Sequence, residues 1–522
     1  MTVADLLALP AEAAPDQPAV TFAGRSLRYR QMWQRATLLA GALAAQGVGR
    51  GDVVGIMATN SPAFVDVLFA SALLGATFVP LNYRAKRDEL AHLLADARVA
   101  VLFREERYAE LVAAAAAGVP SLRRVYGLDE GSPSAPSLRD LARGAVPLGV
   151  AAGSGDDVAV LMYTSGTTGL PKPVRMRHDG LVSYVLGAGE MADGRPRGAN
   201  LIAAPLYHIA GLSALLTSLF GGLRAVLLPQ FDAEAWLRTV EAERITHAFL
   251  VPTMLKLVLD HPSLPRTDLA SLRLVSYGAA PMPTPVILEA IETLPRHVSF
   301  SQSFGQTETL GTVSVLGPED HRLEGAPDVV ERRRRRLASV GRPLPDVEVR
   351  IVAEGGAEAP RGTVGEVLVR SARVAAPESA DGSGGGGTGW HHTGDLGWLD
   401  EDGYLFLAGR RKDLIIRAGE NIAPAEIEVV LASHPLVDSA AAVGLPDEQW
   451  GERVVAAIVP RAGAGIDAAE LLAYCRARLA SYKVPERIVV VPELPRNGLG
   501  KVQKNVLKDT LLGVTVDADQ NR

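Results

Sequence analysis

The sequence contains a single cysteine, Cys475, among its 522 residues. One cysteine excludes an internal disulfide framework and a cysteine-based zinc site. Its setting in LLAYCRARL predicts a small buried side chain on a helix and not a nucleophile. No basic segment precedes the first apolar residues of the sequence, so we expect no signal peptide and a cytoplasmic location.

The chain also lacks an excess of positive charge and an uninterrupted apolar run. Its 53 Lys and Arg against 59 Asp and Glu give a formal charge of −6, which argues against a nucleic-acid binder that neutralises phosphates. Charged residues such as Asp66 and Arg224 interrupt the two longest apolar stretches, 63–81 and 201–229. We therefore expect no nucleic-acid partner and no membrane span.

What the sequence does contain is an alternation of strand-like and helix-like patterns. From about residue 50 these repeats predict parallel sheets covered by helices, and the series restarts near residue 225. We predict an α/β fold of two layered subdomains, a β-rich region from about 337 to 408, and a small α+β domain. The predicted domains are 1–409 and a mobile C-terminal domain, 410–522.

One loop is rich in glycine and hydroxyl side chains. YTSGTTGLPK (163–172) follows the apolar run VAVLMY (158–163), and phosphate-binding loops typically follow a strand. An ordinary turn has a similar composition. Leu170 and Pro171 separate Gly169 from Lys172, so the loop is not a Walker A motif. The pattern favours a phosphate ligand outside the P-loop NTPases.

Four more segments follow that loop in a fixed order: SFGQTE (303–308), HTGDLG (392–397), GRRKDLIIRAGENIAPAEIE (409–428) and PRNGLGKVQK (495–504). Together the five segments resemble the motifs of the adenylate-forming enzymes, which comprise acyl-CoA synthetases, luciferases and adenylation domains. The resemblance covers nearly the whole chain. It implies ATP, Mg²⁺ and CoA as cofactor, metal and co-substrate.

The resemblance implies a nucleotide site assembled from these segments. Glu308 is implied to bind Mg²⁺, Thr307 to contact the α-phosphate, and Asp395 to accept the ribose hydroxyls beside Arg410. The phosphate loop is expected to hold the β- and γ-phosphates through Thr164, Ser165, Gly166, Thr167, Thr168, Gly169 and Lys172. Gly278, Ala279 and Ala280 are expected to lie between the adenine and the acyl group, and Gln302 and Ser303 are expected to line the edge of the nucleotide.

The resemblance also implies catalytic and hinge residues. An enzyme that joins a carboxylate to a phosphate must bring two anions together, so a cation is needed. Lys501 is implied to bridge them, although alone it would be read as a surface lysine. His208, in PLYHIAGL, resembles a gating or pocket-lining histidine, against the alternative of a structural one. Lys412 matches the hinge, and Gly419 is expected to line a pantetheine tunnel.

The sequence departs from the family in two places. Pro173 follows Lys172 where the family has glycine, which fixes φ and removes one N–H donor. A glycine-rich stretch, 378–389, stands where many relatives carry an aromatic segment. We expect the pair His391 and His392 to be structural, because no further ligand lies at a zinc-like spacing. The basic run 331–336 is expected to be a solvated loop or helix face.

The function expected from the resemblance is a two-step acid–thiol ligase. A carboxylic acid and MgATP give an acyl-adenylate and pyrophosphate, and CoA then takes the acyl group and releases AMP. A carrier protein as acceptor and a catalytically silent nucleotide-binding scaffold stay open as alternatives, as does a homodimer. The acid is open between fatty, aryl and bulky polycyclic acids, from fatty-acid or secondary metabolism.

Overall fold

The computed structural model describes residues 1–129, 133–164, 171–374, 389–417, 420–447, 449–461, 463–497 and 500–519, without the side chains of Asn421 and 514–519. Most of the glycine-rich stretch 378–389 lies outside these residues. So do six residues of the expected phosphate loop, Ser165, Gly166, Thr167, Thr168, Gly169 and Leu170, and the expected tunnel residue Gly419.

The strands are, in chain order, β1 Pro18–Phe22, β2 Arg25–Arg28, β3 Val53–Met57, β4 Thr77–Pro80, β5 Val101–Arg104, β6 Arg124–Gly127, β7 Val158–Thr164, β8 Lys172–Arg177, β9 Ala199–Ile202, β10 Arg224–Leu227, β11 His247–Leu250, β12 Leu274–Gly278, β13 Ser299–Gln306, β14 Gly311–Leu316, β15 Arg342–Pro343, β16 Glu348–Val352, β17 Gly365–Arg370, β18 His391–Leu399, β19 Leu405–Arg410, β20 Ile415–Arg417, β21 Glu420–Ile422, β22 Val437–Asp447, β23 Gly451–Pro460 and β24 Arg487–Val490.

The α-helices are α1 Asp5–Ala13, α2 Tyr29–Ala45, α3 Pro62–Leu74, α4 Arg87–Asp96, α5 Ala109–Ala116, α6 Leu138–Ala142, α7 His178–Ala188, α8 Ile209–Gly221, α9 Ala233–Ala242, α10 Pro252–Leu259, α11 Thr284–Thr293, α12 Pro327–Arg336, α13 Pro424–Ala432, α14 Ala468–Arg476 and α15 Lys504–Asp519. Short 3₁₀ turns lie at Glu106–Tyr108, Leu264–Arg266, Pro318–His321, Arg411–Asp413 and Ser481–Lys483. None of the helices described here is both long and apolar enough to cross a membrane.

Two large sheets confirm the predicted α/β layers. The first has the order β15-β14-β13-β12-β11-β9-β10-β1-β2, and its strands from β13 to β1 are parallel. The second has the order β6-β5-β3-β4-β7-β8, parallel except for the edge strand β8. The largest hydrophobic cluster includes buried residues of both sheets, such as Val20 and Phe78, together with α2, α3 and α8.

Helix α3 shows how local sequence sets an element in this core. Ser61 accepts a hydrogen bond from the Phe64 amide, Pro62 occupies the first turn, and Gly75 ends the helix at φ 66°. Serine before a helix, proline at its start and glycine after its end are the preferred signals. The helix is buried on nearly every side, and its Asp66 pairs with Arg35 at 3.0 Å.

The remaining strands form two smaller sheets. Strands β16, β17, β18 and β19 make an antiparallel sheet, which confirms the β-rich region expected between 337 and 408. Strands β21, β20, β23, β22 and β24 form the sheet of the C-terminal residues. Helices α13 and α14 cover one face of that sheet, and Cys475 is buried in α14 as expected. The basic run 331–336 lies on α12, where Arg332, Arg334 and Arg335 are exposed.

The parallel strands place four connections at one edge of the nine-stranded sheet. His208 follows β9, Thr253 follows β11, Gly278 ends β12 and Gln306 ends β13. Because parallel neighbours end at the same edge, these positions lie side by side in space. Open α/β sheets bind ligands at the carboxyl ends of their strands. This edge is therefore where the fold positions a site.

Candidate active site

The expected ribose residues face each other across two neighbouring strands. Asp395 on β18 and Arg410 on β19 are register partners, and Arg410 Nε lies 2.6 Å from Asp395 Oδ1. Burial raises the pKa of Asp395, and Arg410 and a hydrogen bond from Gln306 oppose that rise. The arrangement presents a carboxylate that is buried and held by a cation.

Gln306 is a member of this group that the sequence analysis did not single out. Its Nε2 donates to Asp395 Oδ2 at 2.7 Å and to the Thr393 carbonyl at 2.9 Å. His391 Nε2 lies 3.5 Å from the amide oxygen of Gln306. The only sequence signal was its place in SFGQTE, because the contact joins residues 89 positions apart.

The expected adenine–acyl segment lies against the neighbouring strand. A Cβ added to Gly278 would lie 2.2 Å from the Ser303 carbonyl oxygen, so only glycine allows this approach. Ala279 follows in the left-handed region at φ 64°, a conformation that strains a non-glycine residue. Gln302 Oε1 is buried and has no hydrogen-bond partner among the described residues. A buried acceptor of this kind fits a donor group of a bound nucleotide, such as an amino group.

The expected magnesium ligand lies in the turn directly after β13. Thr309 holds this turn, since its hydroxyl accepts from the Gln306 amide at 3.0 Å and donates to the Gly311 carbonyl at 2.8 Å. Thr307 and Glu308 are half-buried in it. No cluster of three His, Cys, Asp or Glu is found in the described part of the chain. A single carboxylate fits Mg²⁺ that shares its coordination with phosphate oxygens and water.

Lys501 stands on a tight turn of the C-terminal residues, near enough to Asp395, Arg410 and Glu308 for their charges to act on it, and we call the space between these residues the cleft. Asn497 closes the turn, because its amide donates to the Lys501 carbonyl at 2.8 Å and its Oδ1 accepts from the Lys501 amide at 3.0 Å. Lys501 is an exposed residue. Desolvation by the cleft nevertheless lowers its pKa, as do Arg410 and Lys412, whereas Asp395 and Glu308 raise it. The structure thus brings Lys501 together with the expected ribose, metal and hinge residues.

His208 lies at the start of α8 on the same side of the sheet. Its Nε2 is buried without a partner among the described residues, and its ring centroid is 4.2 Å from that of Tyr207. Burial lowers the pKa of His208 to about 3, and the charge of Lys501 contributes. The ring is therefore neutral, and it lines the cleft as a polar but uncharged surface.

The ends of the expected phosphate loop are described although its middle is not. Thr164 ends β7 and Lys172 begins β8, and the two are register partners. Pro173 lies on β8 and is the register partner of Tyr163 on β7. Because β8 is an edge strand, proline is tolerated there. The departure at Pro173 is therefore compatible with the sheet. Lys412 lies in the 3₁₀ turn Arg411–Asp413 that follows β19.

The histidines beside the ribose motif have different surroundings. His391 faces Gln306, and burial lowers its pKa. His392 lies 3.3 Å from Glu366 and is largely exposed. Together these residues offer the Lys501 cation from the C-terminal part of the chain, the buried Asp395 carboxylate with its own cation, and the half-buried Glu308 carboxylate. This set suits the joining of two anions, one of which carries a ribose and a magnesium ion.

Comparisons with known proteins agree with this chemistry. The model of the AMP-binding enzyme family matches residues 7–376, and that of the AMP-binding enzyme C-terminal domain matches 426–501. Similar curated proteins include a feruloyl-CoA synthase of Amycolatopsis sp, 38% identical and covering 95% of this chain and 96% of its own. An indoleacetate–CoA ligase of Aromatoleum aromaticum is 36% identical, with 94% of each chain covered. A fatty acid–[acyl-carrier-protein] ligase, ScoC, of Streptomyces coeruleorubidus is 34% identical over 98% of this chain and 97% of its own.

Solved structures with the same fold are also similar in sequence. The amide bond synthetase McbA from Marinactinospora thermotolerans has a TM-score of 0.84 and 32% identity, covering 98% of this chain and 99% of its own. The o-succinylbenzoate CoA synthetase of Bacillus subtilis, in complex with ATP and magnesium ion, has a TM-score of 0.81 and 30% identity, covering 97% and 99%. One of these enzymes is named for forming an amide bond and the other for a coenzyme A product.

Proposed function

The chain belongs to the AMP-binding enzyme family, a group of adenylate-forming enzymes whose ligases use ATP, Mg²⁺ and CoA, and we propose that it is an AMP-forming acid:CoA ligase. The observation that carries this proposal is the position of Lys501. A lysine from the C-terminal residues lies in one cleft with Asp395, Arg410 and Glu308. That cleft is arranged for the first half of the reaction, in which the acid is activated.

In the first step, a carboxylate oxygen attacks the α-phosphorus of ATP, and pyrophosphate leaves with the β- and γ-phosphates. Lys501 offsets the repulsion between the two anions and the charge that develops on the α-phosphate. Asp395 accepts hydrogen bonds from the ribose, and Glu308 binds the Mg²⁺ that accompanies the phosphates. Thr307 and the loop between Thr164 and Lys172 hold the phosphates.

In the second step, the sulfur of CoA attacks the acyl carbon, AMP leaves with the oxygen that the acid supplied, and the thiol proton passes to solvent. Lys501 has no anion to bridge in this step. We propose that the C-terminal domain rotates at Lys412, so that Lys501 withdraws and the segment around Gly419 lines the path of the pantetheine. One cleft then serves two reactions in turn.

The proposed boundary between the two domains lies at residues 409 and 410. Among the described residues, the buried hydrophobic clusters on the C-terminal side consist of residues from Ile415 onward, and those on the other side include no residue beyond Leu407. Separate cores support two units that can move against each other. The cytoplasmic location and a homodimer stay predictions from the sequence. Sedimentation of the purified protein would test the homodimer.

The acceptor is the first point to test, because the similar proteins include CoA ligases, a carrier-protein ligase and an amide bond synthetase. The purified chain would receive MgATP, a mixture of acids and one of three acceptors: CoA, a phosphopantetheinylated carrier protein or a set of amines. We expect acyl-CoA as the dominant product by mass spectrometry, formed on the order of 10² or more times slower with Lys501→Ala. Amide or acyl-carrier products without acyl-CoA would overturn the proposal.

We further propose that the acid is aromatic. This choice is supported by the relatives, since the feruloyl and indoleacetate enzymes are 38% and 36% identical, against 34% for the fatty-acid ligase. A competition assay would mix cinnamic-type, arylacetic, polycyclic and medium- to long-chain fatty acids at equal concentration. Dominant aryl-CoA products support the aromatic class, and dominant fatty acyl-CoA would contradict it.

A further inference from the structure

Gln306 connects two sheets that carry different parts of the nucleotide site. It is the last residue of β13 in the nine-stranded sheet, and its partners lie on β18 in the four-stranded sheet. The side chain is 9% exposed. A buried amide that fills its hydrogen bonds across such a gap fixes the relative position of the groups it joins.

The contacts of Gln306 define the orientation of its amide. Nε2 donates at 2.7 Å to Asp395 Oδ2 and at 2.9 Å to the Thr393 carbonyl, both of which only accept. The opposite end, Oε1, faces His391 Nε2 at 3.5 Å. His391, Thr393 and Asp395 are every second residue along β18, and every second residue of a strand lies on the same face. Gln306 therefore lies beside that face of the strand.

These contacts leave Asp395 held from two sides. Oδ1 is engaged by Arg410 at 2.6 Å and Oδ2 by Gln306 at 2.7 Å. A carboxylate oxygen can accept about two hydrogen bonds. Each oxygen of Asp395 therefore keeps one acceptor site after its protein partner is satisfied. Two remaining sites on one fixed carboxylate match the two hydroxyls of a ribose.

We propose that Gln306 is a positioning residue for the ribose: by fixing the plane of the Asp395 carboxylate, it directs the two remaining acceptor sites to the 2′- and 3′-hydroxyls of ATP. The inference rests on the proposed function, in which Asp395 binds the ribose. It goes beyond that function because it assigns ribose recognition to a residue that does not itself touch the nucleotide. A simple structural brace would instead support all parts of the site equally.

Binding of two nucleotides to the full chain separates these roles. The dissociation constants of MgATP and Mg-2′,3′-dideoxy-ATP are measured by calorimetry for the unmodified protein and for Gln306→Met, which keeps the size of the side chain. We expect ATP to bind about tenfold more weakly to the variant, as for one lost hydrogen bond to a charged group. Binding of dideoxy-ATP, which offers no ribose hydroxyls, is expected to change less than twofold.

Ser314→Ala is the matched control. Ser314 is a buried side chain on the neighbouring strand β14, and its hydroxyl donates to the Val340 carbonyl at 2.8 Å, outside the site. The control is expected to keep the ATP preference of the unmodified protein. Gln306→Asn, which retains an amide one methylene shorter, provides a second variant should the methionine variant fail to fold, and it is expected to show the same loss of preference.

The outcomes separate this inference from the proposed function. An unmodified protein that does not bind ATP would contradict the proposed function itself. An unmodified protein that prefers ATP, with a Gln306 variant that keeps that preference or weakens both nucleotides equally, would overturn the inference alone. Loss of the preference in the Gln306 variants, with dideoxy-ATP binding retained, supports it.

Discussion

At the residue scale, the account depends most on the charge of Lys501. Lys501→Ala is expected to slow adenylation on the order of 10² or more, as for other groups that stabilise developing charge. Thioester formation from a supplied acyl-adenylate is expected to change little, because the carboxylate and the α-phosphate are already joined in that substrate. Pyrophosphate release and acyl-CoA formation measure the two steps separately. Equal loss in both steps would remove Lys501 from this role.

His208 allows a prediction about pH. Burial lowers its pKa to about 3, so the ring is neutral above about pH 4 and takes up no proton between pH 5 and 8. We expect His208→Gln to weaken binding of the acid but to leave the shape of the pH profile of kcat/KM over that range unchanged. The profile would be recorded for pyrophosphate release. A profile that loses its acidic limb in the variant would show that His208 titrates there.

The sequence identified the charged members of the site but missed Gln306. Lys501, Asp395, Arg410 and Glu308 lie in recognisable segments, and the structure brings them into one cleft. The role of Gln306 comes from a contact with Asp395 across the space between two sheets. Pairing of distant segments depends on tertiary packing, which local patterns do not specify. The roles of all these residues stay predictions, and Ser165, Gly166, Thr167, Thr168, Gly169 and Gly419 lie outside the described residues.

At the scale of elements, the turn that carries Lys501 contacts the first turn of α10. Gly500 has φ 74°, and an added Cβ would lie 2.3 Å from Thr253 Oγ1. Gly500→Ala should therefore prevent the turn from contacting α10 as it does in the structure. The left-handed backbone of an alanine at this position should also cost roughly 1–2 kcal/mol of stability. We expect adenylation to slow at least tenfold, with thioester formation from supplied acyl-adenylate retained. Rates of both half-reactions measure the effect.

Gly463→Ala is the control for backbone strain. Gly463 has φ 77°, and an added Cβ there would meet no atom within 4 Å. This variant should lose a similar amount of stability and keep both half-reactions. If the two alanine variants impair adenylation equally, the contact with Thr253 does not position the turn that carries Lys501.

Elements with strong local signals were predictable, whereas the order of strands in the sheets was only partly so. The start and end of α3 could be read from Ser61, Pro62 and Gly75. The alternation of strands and helices was read from about residue 50, so β1 and β2 were not foreseen. They join the large sheet because Val20 pairs with Ala225, more than 200 residues away. Such pairing leaves no periodic signal in the short segments that form it.

At the scale of the whole molecule, the proposed function assigns the arrangement of the C-terminal residues in the structure to adenylation, because Lys501 lies near Asp395, Arg410 and Glu308. Lys412 lies in a 3₁₀ turn, whose usual φ is close to the value that proline imposes. Lys412→Pro is therefore expected to stabilise the present arrangement. Pyrophosphate release should survive, while acyl-CoA formation falls at least tenfold because the rotation is hindered. Normal rates in both steps would contradict a hinge at Lys412.

The central claim, that the acid is activated as an adenylate before transfer to CoA, is tested most directly by following oxygen. An acid that the enzyme accepts is labelled with ¹⁸O in both carboxylate oxygens and converted with MgATP and CoA, and the products are weighed by mass spectrometry. The account predicts one ¹⁸O in each AMP, one in the acyl-CoA and none in pyrophosphate. Formation of ADP with ¹⁸O in phosphate, or unlabelled AMP with the second ¹⁸O in pyrophosphate, would contradict it.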